Sequence, residues 1–312
     1  KQIVNQFIFD KTGGTPWDLE KFSFEHKTYY DILNTYYDIL LCEAQNKVVD
    51  SGFMYLERKR EPKERFYMPR RKQFLKIGLT QALQGMIDDE YDILLMSLIP
   101  GAGKTTIEKF FLCLVIGWFP KDFNLFYSHS GDITRMFYDG TLDIVTNADD
   151  YSWKDIFPDL SVTRTDAKME QFNVSKYKPF PSVQCTSVGS KNAGKVRASK
   201  FLLVDDMIGG IEEALNPNVL DKLWDKYAVD ARQRKVQYTD GNNCKEIHIA
   251  TRWSVNDVIG RIQRMYEGNK RVKVISVPDV DENGESNFDY EFGGFTKEFF
   301  ADQQLLMDDI SY

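Results

Sequence analysis

Histidine and cysteine are scarce in this chain, at three and four among 312 residues. Cys42, Cys113, Cys185 and Cys244 are widely spaced with no C-x-x-C pair, and His26, His129 and His248 are equally scattered. That argues against a zinc site or a disulfide framework and fits a reducing cytoplasm, with all four cysteines read as small core residues. Long apolar runs are missing too: the longest, FFLCLVIGWF, is too short to span a bilayer. The opening KQIVNQFIFDKTGG has neither the cationic start nor the apolar core of a secretory signal. It also lacks an initiator Met, so the expectation is a start inside a longer chain or after processing. No internal repeat or low-complexity block is present.

An excess of positive charge is absent as well. The formal net charge of −7 argues against coating nucleic acid along the whole surface, while leaving contact through a few loops open. One stretch departs from this, ERKREPKERFYMPRRK from Glu57 to Lys72. It reads either as a solvated connector or as a contact for nucleotide or DNA.

What is present is the balance of a globular chain, 42% hydrophobic and 28% charged, long enough for one large domain with a smaller appendage. HKTYYDILNTYYDILLCEAQ places Tyr30, Leu33, Tyr37 and Leu40 on one helical face, and Pro69 opens a second helical pattern, RRKQFLKIGLTQALQGMI. From Tyr91 onward, the apolar runs DILLMS, FNLFYS, SVQCTS, FLLVDD, EIHIAT and RVKVISV alternate with amphipathic stretches such as TIEKFFLCLVIGW and DVIGRIQRM. This alternation predicts an α/β sandwich with a mostly parallel sheet. The acidic DVDENGESNFDYEFGG after Pro278 reads as an exposed connection near a boundary. The expected organisation is a helical lid subdomain over 1–68, a core over 69–280 and a linker over 281–312.

Leu94 to Thr106 reads LLMSLIPGAGKTT, a buried strand, a turn of small residues and a helix start. An anionic triphosphate needs backbone N–H groups, a helix N-terminus and a lysine at such a turn. Gly101 and Gly103 let the backbone approach phosphates, Lys104 would sit on the β- and γ-phosphates, and the Thr105 hydroxyl on Mg²⁺. Pro100, Ala102 and Thr106 complete the candidate cofactor-binding loop. Ile107, Phe110, Phe111, Leu114 and Trp118 form the stripe that docks the following helix. The pattern G-x-x-x-x-G-K-S/T wants Gly where this chain has Leu98, so a chance GKT at an ordinary helix start is the competing reading.

FLLVDD, from Phe201 to Asp206, is an apolar strand ending in two acids. Many strands end in Asp at a turn, but beside a phosphate loop the pair completes a site. Asp205 would hold the Mg²⁺ shell and Asp206 would orient or deprotonate an attacking water, where most such enzymes use Glu. EIHIATRWSVNDVIGRI is a third strand-to-helix unit, read either as a γ-phosphate sensor or as a simple turn with a buried Trp.

On four segments, in the family's order, the chain resembles the large terminase subunit of tailed bacteriophages, an ATPase and nuclease that packages viral DNA. SLIPGAGKTT resembles its deviant phosphate loop, in which the first glycine is often missing. NLFYSHSGDITRMF resembles the next strand and helix, TSVGSKNAGKVRASKFLLVDDMI the turn into the Walker B strand, and IATRWSVNDVIGRI the coupling motif. The tail GGFTKEFFADQQLLMDDISY resembles the linker before the family's nuclease domain. That resemblance implies a P-loop NTPase core of the additional-strand catalytic-glutamate type, a three-layer sandwich that hydrolyses ATP with Mg²⁺. It also implies that Gln73 contacts adenine, an ordinary helix-surface Gln being the alternative, and that Thr251 and Arg252 couple hydrolysis to movement.

The family often carries an arginine in the phosphate loop; Leu98, Ile99, Pro100, Gly101 and Ala102 supply none. The resemblance therefore leaves the arginine finger to another part of the chain or to a neighbouring subunit, with Arg135 and Arg197 as candidates that also read as structural or surface arginines. Partners implied are double-stranded DNA, a homo-oligomeric ring on a portal and a small terminase subunit, in the host cell cytoplasm and without a membrane. The family's nuclease domain is expected to follow the last residue, so no DNA cleavage is expected of this chain. A helicase-like ATPase stimulated by nucleic acid and a non-hydrolysing nucleotide-binding scaffold remain as alternatives.

Overall fold

A computed structural model describes residues 27–175, 178–190, 196–238 and 243–306. Eight strands form one sheet: β1 (Ile93–Ser97), β2 (Asn124–Ser128), β3 (Arg164–Asp166), β4 (Gln171–Asn173), β5 (Val183–Ser187), β6 (Phe201–Asp205), β7 (Lys245–Ala250) and β8 (Val272–Ser276). Their order is β3-β4-β5-β2-β6-β7-β1-β8. Six strands are parallel, and β3 and β4 join antiparallel at one edge. One strand, β7, lies between the phosphate-loop strand β1 and the carboxylate strand β6. That is the additional strand of the expected fold class.

The six apolar runs become the six parallel strands; five of them are buried nearly throughout, and a strand covered on both faces needs apolar residues on both, while β8 at the sheet edge leaves Val274 exposed. Leu94, Met96, Phe126 and Leu203 join one buried cluster, and Leu95, Leu125, Tyr127 and Leu202 join the other. Successive residues thus face opposite helical layers. The β3–β4 hairpin was not among the expected strands. Its three-residue strands RTD and QFN are too short and polar to show an apolar pattern.

Helices α1 (Lys27–Gln45) and α2 (Val49–Leu56) open the described chain. The core-facing stripe of α1 runs through Tyr36, Leu40 and Ala44, with Leu33 and Tyr37 at its half-buried margin; the Tyr30 side chain lies outside the described residues. Cys42 falls on the exposed side of this helix, against the expectation of a core position, while Cys113, Cys185 and Cys244 are buried. The second helical pattern divides into α3 (Arg71–Lys76) and α4 (Leu79–Ile87). Gly78 between them takes a left-handed φ of 75°, which ends one helix and starts the next.

Helix α5 (Lys104–Trp118) follows the phosphate loop, and its apolar surface is wider than the expected single stripe. Leu112, Val115 and Ile116 are buried as well as Ile107, Phe110, Phe111 and Leu114, with Trp118 half-buried, because α1 and α2 cover the side away from the sheet. Phe53 meets Phe110 edge-on, and the Trp118 indole donates to the Ala44 carbonyl at 2.7 Å. Helix α6 (Gly131–Thr146) lies on the same face, and α7 (Pro217–Asp225) and α8 (Val258–Met265) follow later. Val258, Ile259 and Ile262 of α8 close the opposite face.

The segment from Glu57 to Lys72 is built into the fold rather than solvated. Glu57 is fully buried and accepts backbone N–H groups of Phe66, Tyr67 and Met68 at 2.6, 3.0 and 2.8 Å. Arg58 and Lys59 pair with Asp155, and Arg71 with Asp50. Downstream of Pro278, Phe288, Tyr290 and Phe300 join the same buried cluster, the last from helix α9 (Lys297–Leu306). Among the described residues no helix is long and apolar enough to cross a membrane.

Candidate active site

Chain polarity puts the C-terminal ends of the parallel strands on one edge of the sheet, where a cleft opens beside a topological crossover. Its cavity measures about 470 Å³. Pro100, Gly101, Gly103, Lys104, Thr105 and Thr106 form one wall, Asp206 and the loop Ile208–Gly210 another, and Thr251 and Trp253 a third. Asp205 lies directly beneath, 2% exposed, and Ala102 is buried under the loop.

The loop shape explains why Leu98 is tolerated. Its N–H still donates to the Ala250 carbonyl at 3.3 Å, so β1 effectively continues and that position needs no glycine. The turn is made later, where Gly101 and Gly103 take left-handed φ values of 78° and 90°. Aromatic rings press on the loop from behind: a Cβ on Gly101 would fall 2.7 Å from Phe295, and one on Gly103 would fall 2.6 Å from Phe66. The Tyr290 hydroxyl donates to the Ala102 carbonyl at 3.2 Å. The Arg70 guanidinium lies 4.7 Å from the ring centres of both Phe66 and Tyr290.

Lys104 is the first residue of α5 and only 7% exposed. Its ammonium donates to the Thr251 hydroxyl at 2.6 Å and to the carbonyls of Leu98 and Ile99 at 3.3 and 3.2 Å, with Asp206 Oδ2 at 3.9 Å. Burial pulls its pKa down, and the carboxylates of Asp206, Asp205 and Glu108 oppose that. The Thr105 hydroxyl donates to Asp205 Oδ2 at 2.7 Å. The other oxygen, Asp205 Oδ1, is buried without a partner. A hydroxyl and a carboxylate in contact, with one carboxylate oxygen unspent, fit the oxygen set of a divalent cation. Burial, then the adjacent Asp206 charge, push Asp205 up to about 6.

Asp206 stands in a left-handed backbone conformation, φ 35°, which is costly for a residue with a Cβ. Its Oδ1 accepts the Thr251 N–H at 2.8 Å, and burial raises its pKa against the pull of Lys104. A carboxylate and an ammonium at the cleft surface can orient a water and counter charge on a phosphate.

The other expected residues fall elsewhere. Arg252 turns out of the cleft to pair with Asp257 at 2.7 Å, the residue whose Oδ1 caps α8 at the Gly260 N–H. The side chain of Gln73 donates to the Asp289 carbonyl and does not line the cleft. Arg135 pairs with Asp139 at 3.0 Å and bonds the Ala167 carbonyl; Arg197 bonds the Gln233 carbonyl at 3.2 Å. Both are exposed, and among the described residues no arginine lines the cleft. Residues 191–195, ahead of β6 in the sequence, lie outside the described residues.

Two residues at the site were not singled out from the sequence: His129 lines the cleft, and Glu108, one helical turn beyond Lys104, is 2% exposed with both carboxyl oxygens unpartnered. Trp253, buried in the simple-turn reading, is instead exposed and lines the cleft. A single acid in an apolar helix, EKFFLCLVIGW, was the available signal for Glu108.

No protein-family model and no curated protein matches the chain. Among solved structures, it is similar to the large terminase of bacteriophage HK97 at 10% identity and a TM-score of 0.44, over 65% of this chain and 41% of that one. It is also similar to a mutant ATPase domain of the large terminase of Thermus phage P74-26, at 10% identity and a TM-score of 0.48, over 73% of this chain and 88% of that one. The match thus spans less than half of the HK97 chain.

Proposed function

We propose that this chain hydrolyses ATP with Mg²⁺ as the motor domain of a DNA-packaging terminase, moving double-stranded DNA into a procapsid in the host cell cytoplasm. The observation that carries the hydrolytic reading is the meeting of Lys104, Thr105, Asp205, Asp206 and Thr251 around one cleft, from three strands well separated in sequence. The terminase reading rests on the four sequence segments that resemble that family. DNA, a portal-bound ring of copies and a small terminase subunit are partners in that reading.

Glycine N–H groups at 101 and 103 and the N-terminus of α5 would hold the phosphates, with Lys104 exchanging its carbonyl acceptors for phosphate oxygens. Thr105 and Asp205 would hold Mg²⁺, which supplies charge neutralisation at the β- and γ-phosphates. Asp206 would orient the attacking water and take its proton. Thr251 contacts both Lys104 and Asp206, so a change at either reaches β7 and the Arg252–Asp257 cap of α8. The charge-neutralising arginine would come from outside the phosphate loop, from Arg135 or Arg197 or from a neighbouring copy in the ring.

The test is phosphate release with and without duplex DNA, beside Lys104→Ala and Asp206→Asn. Lys104→Ala should lose nucleotide binding or turnover. Asp206→Asn should keep binding and lose turnover by roughly 10²-fold or more. Full activity in both variants would sink the assignment, and unwinding of a forked duplex would favour the helicase-like reading.

A further inference from the structure

Asp206 does not hold its left-handed conformation unaided. Its N–H donates to the Ile249 carbonyl of β7 at 2.9 Å, and its Oδ1 accepts the Thr251 N–H at 2.8 Å. On the remaining side, its own carbonyl lies 2.6 Å from His129 Nδ1. A carbonyl oxygen can only accept, so Nδ1 carries the proton in this contact. The sequence position makes this contact a product of the sheet. His129 follows the last residue of β2, and β2 pairs with β6 so that Ser128 stands opposite Asp205. The first residue past each strand end therefore faces the other, and the half-buried imidazole lines the cleft at that point.

We propose that His129 is a positioning residue of the hydrolytic site, whose Nδ1–H holds the main chain of Asp206 in its strained form and so aims the Asp206 carboxylate. The inference rests on the reading of Asp206 as the group that acts on water. Backbone in this region persists only where surrounding contacts over-determine it. Of the three bonds that do so, only the one from His129 comes from a side chain outside β6 and β7. Without it, the peptide after Asp206 is free to rotate toward ordinary conformations, which would swing the carboxylate while leaving the phosphate loop untouched.

The side-chain geometry supplies a discriminating set of variants. Asparagine places an amide N–H where Nδ1 stands, glutamine reaches the place of Nε2, and alanine offers neither. His129→Asn should keep kcat within about threefold, whereas His129→Gln and His129→Ala should lower kcat by roughly 10- to 100-fold, the range of a misplaced catalytic group. KM for ATP and the thermal midpoint should stay near wild type in all three.

Activity kept by His129→Gln and lost by His129→Asn would move the role to Nε2, and equal losses in all three would tie it to the whole imidazole; either overturns the proposal. Losses that track a fall in thermal midpoint or a rise in KM would make His129 merely structural. Asp206→Asn, measured alongside, separates the two levels of the argument. Turnover abolished there but kept by every His129 variant overturns the His129 proposal alone. A wild-type chain that hydrolyses nothing with duplex DNA present overturns the hydrolytic reading, and His129's role with it. Imidazole ¹⁵N shifts give a readout independent of activity: an unprotonated Nδ1 overturns the proposal whatever the rates.

Discussion

The ammonium of Lys104 donates to the Thr251 hydroxyl at 2.6 Å, joining the phosphate loop to the end of β7 across 147 positions of sequence. Together with the Thr251 N–H on Asp206, this makes one residue the meeting point of the loop and the carboxylate strand. Thr251→Val removes the hydroxyl and keeps the N–H. ATP affinity should hold or tighten by up to about tenfold, the scale of one charge-assisted hydrogen bond that Lys104 no longer surrenders. Turnover should fall at least about tenfold, because the γ-phosphate end of the cleft loses its link to β7. Nucleotide titration beside steady-state phosphate release checks both; loss of affinity would instead make Thr251 a prop for the loop.

Asp205, raised to about 6 by burial and by the Asp206 charge, must be ionised to hold a divalent cation. Above that pH the ion meets a ready carboxylate; below it, the ion competes with a proton. The dissociation constant for Mn²⁺, followed by spin resonance, should be flat above about 7 and rise about tenfold per pH unit below about 6. Asp205→Asn should bind weakly at every pH. A wild-type curve without that bend would remove Asp205 from the metal site.

Glu108 should make stability depend on pH in the opposite sense to an ordinary paired carboxylate. Burial, then the charges of Asp205 and Asp206, raise its pKa well above the usual 4.5. For a pKa raised on folding, the favourable contribution is complete below about 4.5 and is lost as pH climbs toward the folded value. Glu108→Gln carries no such dependence. Its stability advantage over wild type should grow with pH above about 4.5, approaching about 1.4 kcal/mol per unit. Urea midpoints at a series of pH values read this directly, and parallel curves would show that Glu108 titrates normally.

Gly103→Ala should destabilise the fold by about 2–3 kcal/mol. About 1–2 kcal/mol comes from a left-handed residue acquiring a Cβ, and the rest from displacing the Phe66 ring, which stands 2.6 Å from where that Cβ would fall. Adding Phe66→Leu should recover the packing share and leave the backbone share. Denaturant unfolding of the single and double variants measures the split, and full recovery in the double would mean the backbone cost is negligible.

The chain announced its central parallel strands because those covered on both faces read as apolar runs, as in ILLMS and FLLVD, and the edge strand β8 because Val272, Val274 and Ile275 still give an apolar stretch. It also announced the phosphate loop and the two acids, since GKT and DD are local, and chemistry at strand ends needs small or charged residues there. The break at Gly78 was hidden, because the flanking helical pattern runs through it and only the φ of 75° ends the helix. The hairpin of β3 and β4 was hidden because polar strands of three residues carry no period.

Sequence by itself thus determined the six parallel strands and singled out Lys104, Thr105, Asp205 and Asp206. Tertiary structure alone decided that β7 lies between β1 and β6, which is what carries Thr251 to Lys104 and Asp206. It alone decided that Phe66 and Phe295 back the phosphate loop, that Arg252 turns to Asp257, and that His129 reaches the Asp206 carbonyl. The physical reason is range. Propensity and periodicity act over a few neighbouring residues, whereas strand order, burial of an ionisable group and a strained φ are set by atoms that the folded chain brings together from far along its length.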